Sequence, residues 1–423
     1  MRDTQYGLSG VTLVTPDEIR PDTSLAVSEG RIARLEHPGS GPVLDLRDHL
    51  VFPGLINAHD HLYGTWWPRI APTRPYTNVY QWLAEYDQSS ILRERGRNSV
   101  QDLYEFGMYR NLISGVTTVA DSYKRIDGPE FYTRHPIHVL YEYGRTWTVR
   151  ERTSWGDDIP IEYRRAVRTG QPYITHLAEG VDEETAGEMD VLTEAKALGR
   201  NTMIVHGVSL RRRDMQSMAD VGASLCWCPA SNSYLYGQTA NIPALQEAGV
   251  NLTLGTDSSL TGGLNLLDEV RTARRVFRNE MDRDPPSRWL VELITTRAAY
   301  ALMLETERGR IAPGYQADLL VIPDSQSDPY TALVEADPTD IALLICAGVP
   351  VYGDPEYRSL FERYSPSFTS VLVSGMQVGR PRAEKLMAGD LLALLDRMSL
   401  ATGFPIQFPF LPCTRPEQET GRA

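Results

Sequence analysis

Residues 51–62 read VFPGLINAHDHL, an apolar run closed by two histidines two positions apart, His59 and His61. Apolar residues without helical spacing predict a buried strand. Side chains alternate along a strand, so both imidazoles leave on one side and Asp60 on the other. Downstream the same pattern recurs in GVTTVAD, IHVLYEY, PYITHLA, NTMIVHG, GASLCWC and VNLTLGTD. Amphipathic stretches such as EETAGEMDVLTEAKALG and DEVRTARRVFRNEM separate most of them, which predicts βα units and a parallel sheet. Seven strands are clear where a closed barrel needs eight; the fourth is expected between Arg145 and Gln171, where TWTVRERTSWGDDIP is a weak signal.

Upstream, GVTLVT, SLAVSEGRIARLE and GPVLDL read as short strands and turns. β character returns after the barrel in RIAPGYQADLLVIP, IALLICAGVPVYG and SVLVSGMQVG. These patterns predict an α/β chain: a (β/α)8 TIM barrel over residues 51–308 and a small β-sandwich built from both chain ends, 1–50 with 309–380. Residues 381–423 are expected to form a helix, AEKLMAGDLLALLDRMSLA, and a Pro/Phe-rich extension, FPIQFPFLPC, that packs as an interface.

The chain has 423 residues, a net charge of -13 and 42% hydrophobic positions. That balance disfavours a nucleic-acid surface and leaves a small-molecule substrate as the expected partner. No run reaches the roughly 18 apolar residues of a membrane span, and the start lacks a leader-like apolar region. Four cysteines do not make a disulfide scaffold; a cytoplasmic setting is expected. Cys226 and Cys228 read as packed thiols. The apolar C-terminal segment and the stripe Arg271, Arg274, Arg275 and Arg278 suggest a homodimer.

Four of the eight histidines end candidate strands: His59, His61, His176 and His206. Asp257 ends another. In a parallel barrel those ends share one face, and several imidazoles with a carboxylate suit a divalent transition metal. Zinc leads; iron and manganese accept the same donors. The loop after His61 adds Tyr63, Trp66, Trp67, Tyr76, Tyr80 and Trp82, an aromatic set on which a flat heterocycle can stack, with Arg69 or Arg74 meeting an anionic group. Trp66, Trp67, Arg145 and Asn232 are candidate substrate contacts, and Trp147 faces the same region.

PGLINAHDHL, HLAEG, VHG and LGTDS, in this order, resemble the strand-end motifs of the amidohydrolase superfamily. RGRIAPGYQADLLVI and GVTLVT…GRIARLE resemble its small β domain. HLAE with a later TDS, PASNSYL and LNLLDEVRTA are most similar to the branch of cytosine and guanine deaminases, adenosyl-nucleoside deaminases and triazine hydrolases. The resemblance implies His59, His61, His176 and Asp257 as metal ligands, Glu179 as proton shuttle, His206 at the developing oxyanion and Asp257 as a second proton relay. It implies hydrolytic deamination of a purine, pterin, pyrimidine or triazine by a metal-activated water. Opening of a cyclic amide or imidazolone ring, cleavage of a carbon–halogen bond, or a catalytically silent barrel used for binding are the alternatives. Two-metal members bridge their ions with a modified lysine on the fourth strand. The three lysines here, Lys124, Lys196 and Lys385, are not placed for it, so one metal is expected. Asp60 departs from the Thr or Val of the deaminase motif.

Overall fold

Gly54 splits the opening stretch between two sheets. In the computed structural model, which describes residues 4–70, 75–124, 126, 128–150 and 158–416, His49–Pro53 belongs to a mixed sheet and Leu55–Asp60 to a parallel set. The passage needs a residue without a side chain, because a Cβ at 54 would lie 2.4 Å from Thr117 Oγ1. The expectation of a single strand over VFPGLINA is corrected accordingly. From Leu50 onward both pieces are buried, so periodicity alone does not separate them.

The parallel strands are β1 (Leu55–Asp60), β2 (Val116–Asp121), β3 (His138–Leu140), β4 (Gly144–Thr148), β5 (Tyr173–Leu177), β6 (Thr202–His206), β7 (Ser224–Trp227) and β8 (Asn251–Leu254). β1, β2 and β3 form one hydrogen-bonded group, and β4 to β8 another. The groups meet beyond β8, where Asp257 N donates to His59 O at 3.1 Å. This is a TIM-barrel-type α/β arrangement.

The weak fourth strand lies at the front edge of its expected window. Only three residues separate β3 from β4. A crossover between neighbouring parallel strands takes about a dozen residues or more. β3 and β4 are therefore successive lengths of one pass, paired with β2 at its start and β5 at its end. That merger explains why seven apolar runs, not eight, stand out. Residues 151–157 of the window lie outside the described residues.

Both chain ends meet in one eleven-stranded sheet. Its path runs Cys413–Thr414, Phe368–Val373, Ala383–Ala388, Val349–Gly353, Leu343–Cys346, Leu319–Pro323, His49–Pro53, Gln5–Val14, Ile19–Ser28 and Arg31–Leu35, with Val43–Asp45 beside Gln5–Val14. The seam between the ends is antiparallel pairing of Leu319–Pro323 with His49–Pro53. Period-two alternation sorts its faces. Leu50, Phe52, Leu320, Ile322 and Leu344 join the large core shared with the barrel. Val51, Leu319, Val321, Leu343 and Ile345 join a separate core covered by Leu360 and Phe361.

The C-terminal region differs from its expected form. Ala383–Ala388 is a strand of the small sheet, and the helix spans only Leu391–Thr402. Gly389, at φ 81°, interrupts the apolar pattern that suggested one helix. Phe408 and Phe410 then bury against Phe106 of the helix Val100–Leu112, with Phe408 also edge-on to Trp66 at 5.1 Å. The extension thus packs within its own chain. Two arginines of the stripe are engaged within the chain: Arg271 donates to Ala336 O, and Arg274 pairs with Asp284 and Glu335. All four cysteines are buried and unbridged. Among the described residues no helix is long and apolar enough to cross a membrane.

Phe410 is fully buried. Phe410→Ala is expected to cost about 3–5 kcal/mol, read as a lowered midpoint in urea unfolding, with the Val100–Leu112 helix the first element to lose hydrogen-exchange protection.

Candidate active site

The strand ends bring the predicted cluster together. The ring centroids of His59 lie 4.8 Å from both His61 and His176, and those of His61 and His176 are 5.4 Å apart. Asp257 Oδ1 is 3.2 Å from His61 Nε2 and 3.7 Å from His59 Nε2. Two triads, His59–His61–Asp257 and His59–His176–His206, each keep their donor atoms within 4.8 Å of one another. Donors sharing a zinc ion at about 2.0–2.1 Å stand at most roughly twice that length apart, so each triad would have to draw in around an ion.

The chemistry of the donors suits a cation. His59 Nε2 is buried and has no hydrogen-bond partner. Burial lowers the His59 pKa to about 4, against the weaker opposing pull of Asp257. Burial, then the neighbouring imidazoles, holds His176 well below its ordinary value. Its Nδ1 donates to Trp147 O at 2.8 Å, which puts the ring's lone pair on Nε2. Burial would push the Asp257 carboxyl up, but the imidazoles of His59 and His61 outweigh it and keep it well below the usual range. His61 goes the other way: burial would lower its pKa, but Asp257 and the nearby carboxylates raise it. His59 and His176, with lowered pKa, beside a carboxylate kept ionised suit a divalent cation.

Asp257 is held from every side. Ser258 N donates to its Oδ1 at 2.6 Å and Thr261 Oγ1 to its Oδ2 at 3.1 Å. Its φ of 56° is one of three left-handed values at non-glycine residues in the cluster, beside Ala178 at 55° and His206 at 75°. Such backbone persists only where surrounding contacts over-determine it.

Asp60 points away from the imidazoles, as strand alternation predicts. Its Oδ1 accepts from Arg110 Nη1 at 2.9 Å and from His61 N at 2.7 Å, and its Oδ2 accepts from Asn111 Nδ2 at 2.7 Å. Arg110 Nη1 also reaches Asp257 O at 3.1 Å. One buried ion pair thus ties β1 to the residue after β8. Arg110 and Asn111 were not expected from sequence, because a helix 50 residues away supplies them.

Glu179 and His206 form a second group. Glu179 Oε1 lies 3.5 Å from His206 Nε2 and accepts from Tyr236 OH at 2.9 Å. Burial, then the charge of Asp257, raises the Glu179 carboxyl well above its ordinary value. His206 Nδ1 donates to Asn232 Oδ1 at 2.8 Å. Asn232 and Tyr236 sit four apart on the helix Pro229–Tyr236, hence on one face. PASNSYL carried this signal in sequence, but the role of Tyr236 went unread.

Above the cluster is a cavity of about 310 Å³. His61, His176, Glu179, His206 and Asp257 reach it, and Tyr63, Trp82 and Trp147 supply aromatic wall. None of the four expected substrate contacts lines it. Trp66 is fully buried, with its indole N–H on Glu94. Trp67 packs against the large core. Arg145 donates to Tyr123 O and Tyr141 O. Asn232 spends its amide on His206 and on Thr239 Oγ1. Arg69 is turned to Gly262 O and the Tyr234 ring, and Arg74 lies outside the described residues. β4, of sequence GRTWT, carries no lysine; Lys385 is buried beside Asp354 in the small sheet.

The amidohydrolase family profile matches residues 171–351. A 5-methylthioadenosine/S-adenosylhomocysteine deaminase of Desulfitobacterium hafniense is 26% identical over 370 residues, 74% of this chain and 83% of the relative. An 8-oxoguanine deaminase of Pseudomonas aeruginosa is 26% identical over 392 residues, 76% and 86% of the two chains. The crystal structure of an adenosine deaminase from Xanthomonas campestris with bound zinc superposes with a TM-score of 0.68 at 21% identity, covering 81% of this chain and 92% of that one.

Asp60→Asn leaves the Arg110 guanidinium buried without its counter-charge. A loss of about 3–5 kcal/mol is expected in urea unfolding, together with roughly 10–100-fold weaker metal retention on dialysis, measured by elemental analysis.

Proposed function

We propose that this chain is a hydrolase of the amidohydrolase family, acting on carbon–nitrogen bonds other than peptide bonds, and that it releases ammonia from an aminated heterocycle; residues 171–351 match that family's profile and the relatives are deaminases. The observation that carries this reading is the placement of Glu179 at the floor of an aromatic-walled cavity, beside both His206 and the imidazole–carboxylate cluster. We read the parallel strands as one closed barrel of the TIM type in which a single pass, made of β3 and β4, stands where a (β/α)8 barrel has its third and fourth strands. In that division the small sheet takes both flanks of the barrel, and the segment from Leu391 onward braces its side.

His59, His61, His176 and Asp257 would hold one divalent ion, zinc by donor type. When bound, the ion supplies a water of lowered pKa and positive charge near the reacting carbon. Glu179 takes a proton from the attacking water and delivers it to a ring nitrogen, which makes the adjacent carbon electrophilic. Tyr236 fixes the Glu179 carboxyl for that transfer. His206, oriented by Asn232 through Nδ1, faces Glu179 with Nε2; once protonated there it would stabilise the oxygen that becomes negative in the tetrahedral adduct. Asp257 passes a second proton to the leaving amine. Tyr63, Trp82 and Trp147 hold the flat ring and keep bulk water out. The small-molecule substrates named for the relatives, adenosine derivatives and 8-oxoguanine, belong to this chemical class.

Metal-loaded protein is expected to release ammonia from at least one member of a panel of purine, pterin, pyrimidine and triazine amines. A panel without ammonia release overturns the reading, and products that gain water while keeping nitrogen replace it with ring opening. Glu179→Gln is expected to lower kcat by about 10²–10⁴-fold at unchanged metal content; unchanged kcat removes Glu179 from the chemistry.

A further inference from the structure

Arg95 ends the short helix Ser90–Arg95 and lines the same cavity as the imidazole cluster. Its side chain is only 4% exposed. Its Nη2 donates to Tyr86 OH at 3.2 Å, and its guanidinium lies 4.6 Å over the Tyr63 ring. Nε and Nη1 have no hydrogen-bond partner. The adjacent acid, Glu94, is engaged by the Trp66 indole N–H. Among the described residues no carboxylate pairs with Arg95. Arg110, Arg145 and Arg308 are buried as well, yet each meets carbonyl or carboxylate oxygens.

A buried guanidinium with two idle nitrogens is costly unless an acceptor arrives. Here the missing acceptor has a place to come from, because the side chain borders the cavity. Two aromatic stacks flank it, Tyr63 on Tyr123 at 4.5 Å and Trp82 on Tyr86 at 4.8 Å, and Arg95 contacts a member of each. Those walls exclude water and strengthen a charge-assisted hydrogen bond.

We propose that Arg95 is the anion-recognition residue of this cavity, so that the ligand is a flat heteroaromatic amine bearing a carboxylate-like substituent. Its identification as an amine rests on the proposed deamination; the anion subsite does not. Of the four contacts expected from sequence, none occupies this position, and Arg95 lies in a stretch, SSILRERGR, without a distinguishing motif.

The test compares 6-aminonicotinate with its neutral counterpart 6-aminonicotinamide by isothermal titration of the metal-loaded enzyme, wild type, Arg95→Met and Arg95→Lys. The wild type is expected to bind the carboxylate about ten-fold more tightly or better. Arg95→Met is expected to abolish that preference and Arg95→Lys to retain part of it. Equal binding of the two probes by the wild type overturns the proposal, and that comparison stands should Arg95→Met fail to fold. A preference that survives Arg95→Met also overturns it, since the metal cluster is then what holds the anion. The ammonia screen run in parallel separates the two readings: anion preference without ammonia release retires the deaminase and keeps the subsite, and ammonia release without anion preference does the reverse.

Discussion

The ion pair between Asp60 and Arg110 is the contact through which the cluster holds its shape. It is buried at both ends, and Arg110 bonds in the same grip to the carbonyls of Asp257, Gly263 and Leu264. A pair of charges taken out of water is weak evidence for stability, because desolvation offsets the attraction. What this pair supplies is register. It fixes the strand that carries His59 and His61 against the loop that carries Asp257, so donors from opposite ends of the strand series face one another. Asn57 extends the tie, donating to Asn111 and Thr256 and accepting from Thr256 N.

The fold pays for this geometry in backbone strain and recovers it in packing. Ala178, His206 and Asp257 adopt left-handed φ values, and each is pinned nearby by a hydrogen bond: Glu188 to Ala178 N, Asn232 to His206, Ser258 N and Thr261 to Asp257. The C-terminal extension contributes from outside. Phe408 and Phe410 pack on Phe106, on the helix that also presents Arg110, one turn further on, and Asn111 to Asp60. A distant segment thereby steadies the helix that grips the strand carrying His59 and His61.

The grouping of the strand-end histidines with Asp257 was legible because strand ends in parallel α/β arrangements share a face and few histidines were available to fill it. The walls were not. Trp66 and Trp67 looked like ring-stacking candidates from their position after His61, yet one is core and the other leans on core. A loop's aromatic content says how much apolar area must be buried, not on which side. Arg145 and Asn232 failed for a related reason: each lies near the cavity in sequence order, but carbonyls and an imidazole nearer by satisfy its polar atoms. The merged third and fourth strands escaped pattern reading because a three-residue link between parallel segments has no compositional mark.

What the amino-acid order determines by itself is short-range: the alternation that puts His59 and His61 on one side and Asp60 on the other, the helical spacing that aligns Asn232 with Tyr236, and the strand–helix rhythm of the parallel set. Tertiary structure alone decides which partner each polar atom meets across 50 to 200 residues, as in Arg110 with Asp60 or Thr256 with Asn57. It decides equally which buried charge is left wanting one, as at Arg95. Side-chain periodicity is a property of the local backbone, whereas the pairing of a buried charge depends on every element that packs around it.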